Sequence, residues 1–200
     1  MKKNIWSVKL NTAALVLIPA AVGINYIGKI FAGALKLPLW LDAIGTVLAA
    51  MLAGPIVGAL CGAINNIIYG LTMDPISLVY ALSSIGIGLT VGILARMDKA
   101  KNFVGIIGVS VAVIIVSVII STPINMIFWG GTTGNVWGDA AFAWCIAHGV
   151  PSFLASALDE LLVDIPDKFA TIFIGYAIFK GLPQKLVLMY HNDSKIEHLN

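Results

Sequence analysis

Charged side chains at helical spacing inside an apolar segment are the residues of this chain best placed to do chemistry. Glu160, Asp164 and Lys168 are spaced four residues apart, which puts them on one face of a helix, and Asp159 and Asp167 flank them. Inside a membrane such groups are costly unless they are paired, solvated or bound to a ligand. Two interpretations stay open: an Asp164–Lys168 ion pair beside a solvated turn, or a polar rim for a ligand with amino or hydroxyl donors.

A second set of candidates lies in the run STPINMIFWGG. Asn125 follows Pro123 by two residues and precedes Trp129 by four, so both flank a predicted kink at the end of a helix. An amide for hydrogen bonding and an indole for stacking suit a flat heterocycle. The alternative for Trp129 is an interfacial aromatic belt, and Trp137 shares that alternative.

The stretch from Gly130 to Val150 is too apolar for a free loop and too rich in glycine for a further membrane crossing. We expect an ordered cap with a short helical piece near Ala140–Ala147. This cap carries Trp137, Trp144 and His148 and is predicted to close over the outer face.

The composition indicates the elements that must position these groups. Hydrophobic residues make up 59% of the 200 residues and charged residues only 11%, with a mean hydropathy of +0.95, whereas soluble domains carry about 25% charged residues. Uncharged runs cover 43–73 and 102–138, and each exceeds the roughly 20 residues that cross a bilayer. The chain is therefore predicted to be an all-α, multi-pass protein of the cell membrane, forming a single integral membrane domain over residues 1–200.

Six crossings fit the sequence best, with turns at Gly54-Pro55 and at Met73-Asp74-Pro75. Nine of the twelve Lys and Arg residues then fall on the side of the N-terminus, so both termini are predicted to be cytoplasmic and the cap external. The predicted crossings are Leu10–Phe31, Leu37–Met51, Pro55–Met73, Ile76–Leu94, Phe103–Phe128 and Pro151–Phe179.

Small residues at helical spacing predict close helix packing in two places. In the third crossing, glycines and one amide recur every fourth residue, at Gly54, Gly58, Gly62, Asn66 and Gly70. In the first crossing a stripe of small residues includes one amide, and it serves packing either within the fold or against another membrane subunit. Its members are Ala14, Ala21, Asn25, Gly28 and Ala32.

Several function classes find no support in the sequence. The net charge of +2 gives no indication of a nucleic-acid partner. Cys61 and Cys145 lie in apolar segments without the spacing of a metal site, so we expect no metal and no cofactor. No hydrolase or metalloprotease motif is present, and we predict that the protein is not an enzyme.

Four motifs in order carry a resemblance to a known family. They are LPLWLDAIGT, GPIVGALCGAINNIIYG, STPINMIFWGGTTG and LDELLVDIPDK, and the resemblance spans roughly Ile18 to Leu186, most of the chain. The chain resembles the substrate-binding S-component of energy-coupling factor transporters, an ABC-type import system. It is most similar to the S-components that take up vitamins and other micronutrients.

The resemblance implies a six-helix protein that captures a small micronutrient near its outer face and has no ATPase of its own. Its implied partners are a transmembrane coupling subunit and two cytoplasmic ATPases, which drive the import. The resemblance implies docking of the coupling subunit on the first helix, for which Ala14, Ala21, Gly28 and Ala32 are the candidates, although no strict AxxxA pattern occurs there. The implied ligand contacts are Asn125, Trp129, Trp137, Trp144, His148, Glu160, Asp164 and Lys168.

The ligand class stays open between a vitamin-like and a nucleoside-like heterocycle, and the carboxylate excess disfavours an anion. Two other functions remain as alternatives. A stand-alone secondary transporter of a small organic solute would use Asp42 and the carboxylates of the last predicted crossing, but such carriers usually contain internal repeats, and none is evident. A membrane sensor module is the other alternative.

Overall fold

The computed structural model describes residues 12–191, and within that range the chain is helical, without strands. A 3-10 turn at Pro75–Leu78 precedes the fourth helix. The eight α-helices are α1 (Thr12–Ala34), α2 (Ile44–Ala53), α3 (Pro55–Thr72), α4 (Ala81–Arg96), α5 (Phe103–Trp129), α6 (Val136–Ala147), α7 (Ser152–Gly181) and α8 (Gln184–His191).

Three of these helices, α1, α3 and α5, are long and apolar enough to cross a membrane. This supports the prediction of an all-helical membrane protein in its coarse form. Helix α4 is apolar but has only 16 residues, and α7 has 30 residues but carries the charged cluster. The charged cluster lies on α7, which is the longest of the described helices.

The predicted second crossing, Leu37–Met51, is wrong at its start, because α2 begins only at Ile44. The preceding segment is not helical: Pro38 disfavours a helix before it, and Leu41 adopts a positive φ of 52°. The carboxylate of Asp167 on α7 accepts hydrogen bonds from the backbone N–H groups of Trp40 and Leu41 and holds this segment in place.

Helix α2 is the centre of the bundle. All its residues except the last are buried, and it packs against α1, α3, α4 and α7. Val47, Ala50 and Met51 form a core cluster with Val91 of α4 and Ile172 of α7. The turn into α3 is tight, since Gly54 has a φ of 94° and Pro55 begins the next helix, as the sequence predicts.

The glycine face of α3 packs against α4, which confirms the predicted close approach of a second helix. A Cβ atom built on Gly88 would lie 2.4 Å from the backbone of Gly58, and one on Gly62 would lie 2.7 Å from the carbonyl oxygen of Ser84. The Asn66 amide donates to the Ser84 hydroxyl at 2.6 Å across the same contact. Backbone contacts of this kind fix the spacing of the two helices.

The stripe of small residues on α1 faces the interior of the fold. Ala14 and Ala21 are fully buried and Ala32 is 2% exposed. A Cβ on Gly28 would lie 2.2 Å from the carbonyl oxygen of Leu41, and one on Gly45 of α2 would lie 2.0 Å from that of Ala21. The prediction that this stripe is a docking surface is therefore corrected: it packs α1 against α2 and the segment before it.

The cap between α5 and α7 contains the predicted short helix, which extends over Val136–Ala147. Gly130 ends α5 in the left-handed conformation with a φ of 66°, and Asn135 caps α6 by accepting from the N–H group of Trp137. Helix α6 packs on α7. The cap, the segment 35–43 and the turn at 73–80 lie at the same end of the bundle, because the helices alternate in direction.

Substitution of Gly88 by alanine tests the backbone contact between α3 and α4. The added methyl group overlaps the backbone of Gly58, so we expect a loss of about 1–3 kcal/mol in stability, measured as a lowered thermal midpoint in detergent. The matched control is Gly108→Ala on α5, where a Cβ meets nothing within 4 Å. This control should be neutral or slightly stabilising; an equal loss in both variants would contradict the assignment.

Candidate functional site

A polar cavity lies at the end of the bundle that carries the cap. Its empty space, counted together with the open solvent at its mouth, is about 570 Å³. Side chains from α1, α4, α5 and α7 and from the connecting segments form it. They are Lys29, Trp40, Asp42, Asp74, Ile76, Ser77, Tyr80, Ser83, Ser84, Ile87, Ser117, Ser121, Thr133, Glu160, Asp164 and Lys168.

A chain of hydrogen bonds fixes one carboxylate of this cavity. The Tyr80 hydroxyl donates to the side-chain oxygen of Asn125, and the Asn125 amide nitrogen donates to Glu160 Oε2 at 2.9 Å. Asn125 is fully buried and Glu160 is 5% exposed. Because its oxygen accepts from Tyr80, the amide presents its N–H donor to Glu160, which orients the carboxylate along the cavity.

Two further carboxylates lie beside the buried ammonium group of Lys168. Its Nζ lies 3.0 Å from Asp164 and 2.7 Å from Asp167, and all three side chains are at most 4% exposed. The predicted Asp164–Lys168 pair is thus present, with Asp167 as an additional partner. The other oxygen of Asp167 holds the segment 35–43, so the ion cluster joins the inner part of the cavity to the segment that bears Trp40.

The mouth of the cavity contains a second lysine. Lys29 Nζ lies 3.3 Å from Asp42 and donates to the Ser77 hydroxyl at 3.0 Å, and it lies 4.5 Å from the centre of the Tyr69 ring. Asp42 therefore pairs with a lysine of α1. A neighbouring cleft shares Lys29, Trp40 and Asp74 with the cavity and leads along the start of α6.

Hydroxyl groups form the side of the cavity between α4 and α5. The Ser83 and Ser121 hydroxyls lie 2.8 Å apart, and both residues are at least nine-tenths buried. Ser117 lies one turn before Ser121 and also lines the cavity. Hydroxyl groups can donate or accept, so this side can match either polarity in a ligand.

Four of the eight predicted ligand contacts come together here. Glu160, Asp164 and Lys168 line the cavity, and Asn125 lies directly behind Glu160. The predicted Asp164–Lys168 ion pair is confirmed. Glu160 lines the cavity, and the interpretation of α7 as a polar rim for a ligand stays a prediction.

The aromatic residues and the histidine of the cap do not line the cavity, which corrects their predicted contact role for this structure. Trp137 and Trp144 are 56% and 62% exposed. The indole N–H of Trp137 donates to the carbonyl oxygen of Lys36, and His148 packs its ring on Trp144 with centroids 4.2 Å apart. The cause is the composition of α6, whose two buried residues are the small Gly138 and Cys145, so its large side chains point away.

Trp129 at the end of α5 is also outside the cavity lining and contacts Phe128. Tyr80, Trp40 and the serines also line the cavity, and the sequence did not predict them. One signal was available: Ser117, Ser121 and Asn125 recur every fourth residue on the otherwise apolar α5, which puts a polar stripe on one face. The position of Trp40 had no such signal, because it depends on the non-helical segment 35–43.

Replacement of Lys168 by methionine tests the ion cluster. The change leaves the buried carboxylates of Asp164 and Asp167 without their shared counter-charge, so we expect a loss of about 3–5 kcal/mol in stability. The thermal midpoint of the purified protein measures it. Lys101→Met is the control, since Lys101 forms an exposed pair with Asp98, and its effect should stay below about 1 kcal/mol. Similar midpoints for the two variants would contradict a structural role of the cluster.

Comparison of the chain with known proteins found no matching family, no matching curated protein and no matching solved structure. The functional conclusion therefore depends on the cavity and its residues, with the motif resemblance as an expectation beside them.

Proposed function

We propose that this protein is the substrate-binding subunit of an energy-coupling factor transporter, which captures a small micronutrient at the outer face of the cell membrane. The observation that carries the proposal is the cavity of buried, oriented polar groups at one end of an apolar bundle. Polar groups in such a place are expensive, and they mark ligand pathways or sites in membrane proteins. Glu160 and the Asn125 amide that holds it are its central residues.

The proposed topology has six crossings, formed by α1 to α5 and α7, with both termini in the cytoplasm. The distribution of cations supports this orientation. Among the described residues, the end opposite the cavity carries Arg96, Lys99, Lys101, Lys180 and Lys185. The end with the cavity carries Lys36 and the paired Lys29. Four other cations are predicted on the cytoplasmic side but lie outside the described residues: Lys2, Lys3, Lys9 and Lys195.

The proposed partners are a transmembrane coupling subunit and two cytoplasmic ATPases. The internal packing of Ala14, Ala21 and Ala32 moves the proposed docking contact to another surface. The outward side of α1 is one apolar candidate for contact with lipid or with the coupling subunit, and it contains Leu15, Val16 and Ile27, each more than half exposed.

A stand-alone secondary transporter is the second candidate. The observation that favours it is the group of buried carboxylates on α7, because coupled carriers use such groups to bind ions or protons. The bundle packs around one central helix, α2. Carriers with inverted repeats have two matching broken helices at their binding site, so this packing gives the secondary transporter no further support.

Ligand binding tests the site. Native mass spectrometry of the protein purified from its own host should reveal a bound small molecule, and that compound then serves as the titrant. Asn125→Ala removes the amide that orients Glu160, so we expect the Kd of the compound for this variant to rise at least about tenfold. Trp144→Ala is the control and should bind as tightly as the unchanged protein, because Trp144 is exposed and outside the cavity. An unchanged Kd for Asn125→Ala would contradict the site.

Reconstitution separates the two candidate functions. Vesicles that contain the protein alone should bind the ligand without accumulating it, with or without proton and sodium gradients, and the protein should hydrolyse no ATP. Accumulation should require the coupling subunit, both ATPases and ATP. Gradient-driven accumulation by the protein alone would instead establish the secondary transporter.

A further inference from the structure

The charges that line the cavity are unequal in number and differ in how they are paired. Four carboxylates and two ammonium groups contribute to the lining. Both ammonium groups have carboxylate partners: Lys29 pairs with Asp42 at 3.3 Å, and Lys168 is shared by Asp164 and Asp167. Neither lysine is therefore free to bind an anionic ligand.

Glu160 differs from Asp164, the other buried carboxylate that lines the cavity. Within residues 12–191, the ion pairs of α7 involve Lys168 with Asp164 and Asp167 but do not include Glu160. Its hydrogen-bond partner is the neutral amide of Asn125, which donates to one of its oxygens. A buried carboxylate needs a compensating charge, or it is costly. The cavity in front of Glu160 is where such a charge can be supplied.

The groups around Glu160 suit an organic cation with N–H donors. Tyr80 and Trp40 contribute aromatic surface to the lining, and cations are attracted to the faces of such rings. The Ser117 and Ser121 hydroxyls lie on the α5 side of the same space and can accept further N–H groups. The cavity is also large enough for more than a bare ion.

We infer that the ligand of this cavity is a small organic cation, a protonated amine or amidine, whose N–H donors bind Glu160. Asn125 and Tyr80 are positioning residues for that carboxylate, and Lys168 supplies the positive charge beside the neighbouring Asp164 and Asp167. This inference rests on the proposed function, since it names the class of molecule that the same site takes.

Matched probes that differ in charge test the inference. Benzamidine and benzylamine are the cations, benzamide and benzyl alcohol are their neutral counterparts, and benzoate is the anion. At equal concentrations, the two cations should raise the thermal midpoint of the purified protein, and the other three should not. Glu160→Gln should weaken binding of the cations at least about tenfold, because it removes a charge-assisted hydrogen bond.

Two further variants keep the test decisive. Asp98→Asn removes the same charge at an exposed position and should leave cation binding unchanged. Tyr80→Phe keeps the aromatic ring but removes the hydroxyl that donates to Asn125, so this variant should also weaken cation binding. It provides the test if Glu160→Gln does not fold.

The remaining outcomes overturn the inference. They are stabilisation by a neutral or anionic probe equal to that by its cationic counterpart, cation binding that survives both Glu160→Gln and Tyr80→Phe, and no stabilisation by either cation. The proposed function is judged separately: a neutral or anionic compound found by native mass spectrometry, with a Kd that rises in Asn125→Ala, would retain the binding role and reject only the cationic class.

Discussion

The ion cluster of Asp164, Asp167 and Lys168 is the interaction on which the rest of the site depends. It occupies the interior of an apolar bundle, where one ammonium lies 3.0 Å from the Asp164 carboxylate and 2.7 Å from that of Asp167. The second oxygen of Asp167 fixes the backbone of the segment 35–43 before α2. Because that segment supplies Trp40 and Asp42 to the cavity, the cluster determines the shape of the site as well as its charge.

Close backbone packing of the helices accompanies the cavity beside this ion cluster. Glycines on α3 and α4 bring those helices into contact at Gly58 and Gly88, and Gly28 and Gly45 do the same for α1 and its neighbours. A cluster of buried apolar residues surrounds α2 and extends towards the end opposite the cavity. At the cavity end, serines and short polar contacts replace large apolar side chains, which leaves space between α4, α5 and α7.

Much of the fold was predictable from local pattern, and the site was predictable in part. The breaks at Gly54-Pro55 and Met73-Asp74-Pro75 follow from residues with fixed backbone preferences. Glu160, Asp164 and Lys168 were found because helical spacing alone puts them on one face. The aromatic residues of the cap were misplaced, because amphipathic pattern does not tell which side of a short helix lies on its neighbour. In the folded protein, the side of α6 that contains Gly138 lies against Asp159 of α7.

The sequence by itself determined an apolar, all-helical chain with only 11% charged residues, since hydropathy and spacing are local properties of the residues. Only the tertiary structure decided which polar groups meet. Tyr80, Asn125 and Glu160 are 35 to 80 residues apart and form one hydrogen-bonded chain because three elements converge at one end of the bundle. The small stripe of α1 became an internal contact for the same reason: a backbone approach needs a partner surface, and folding supplied α2.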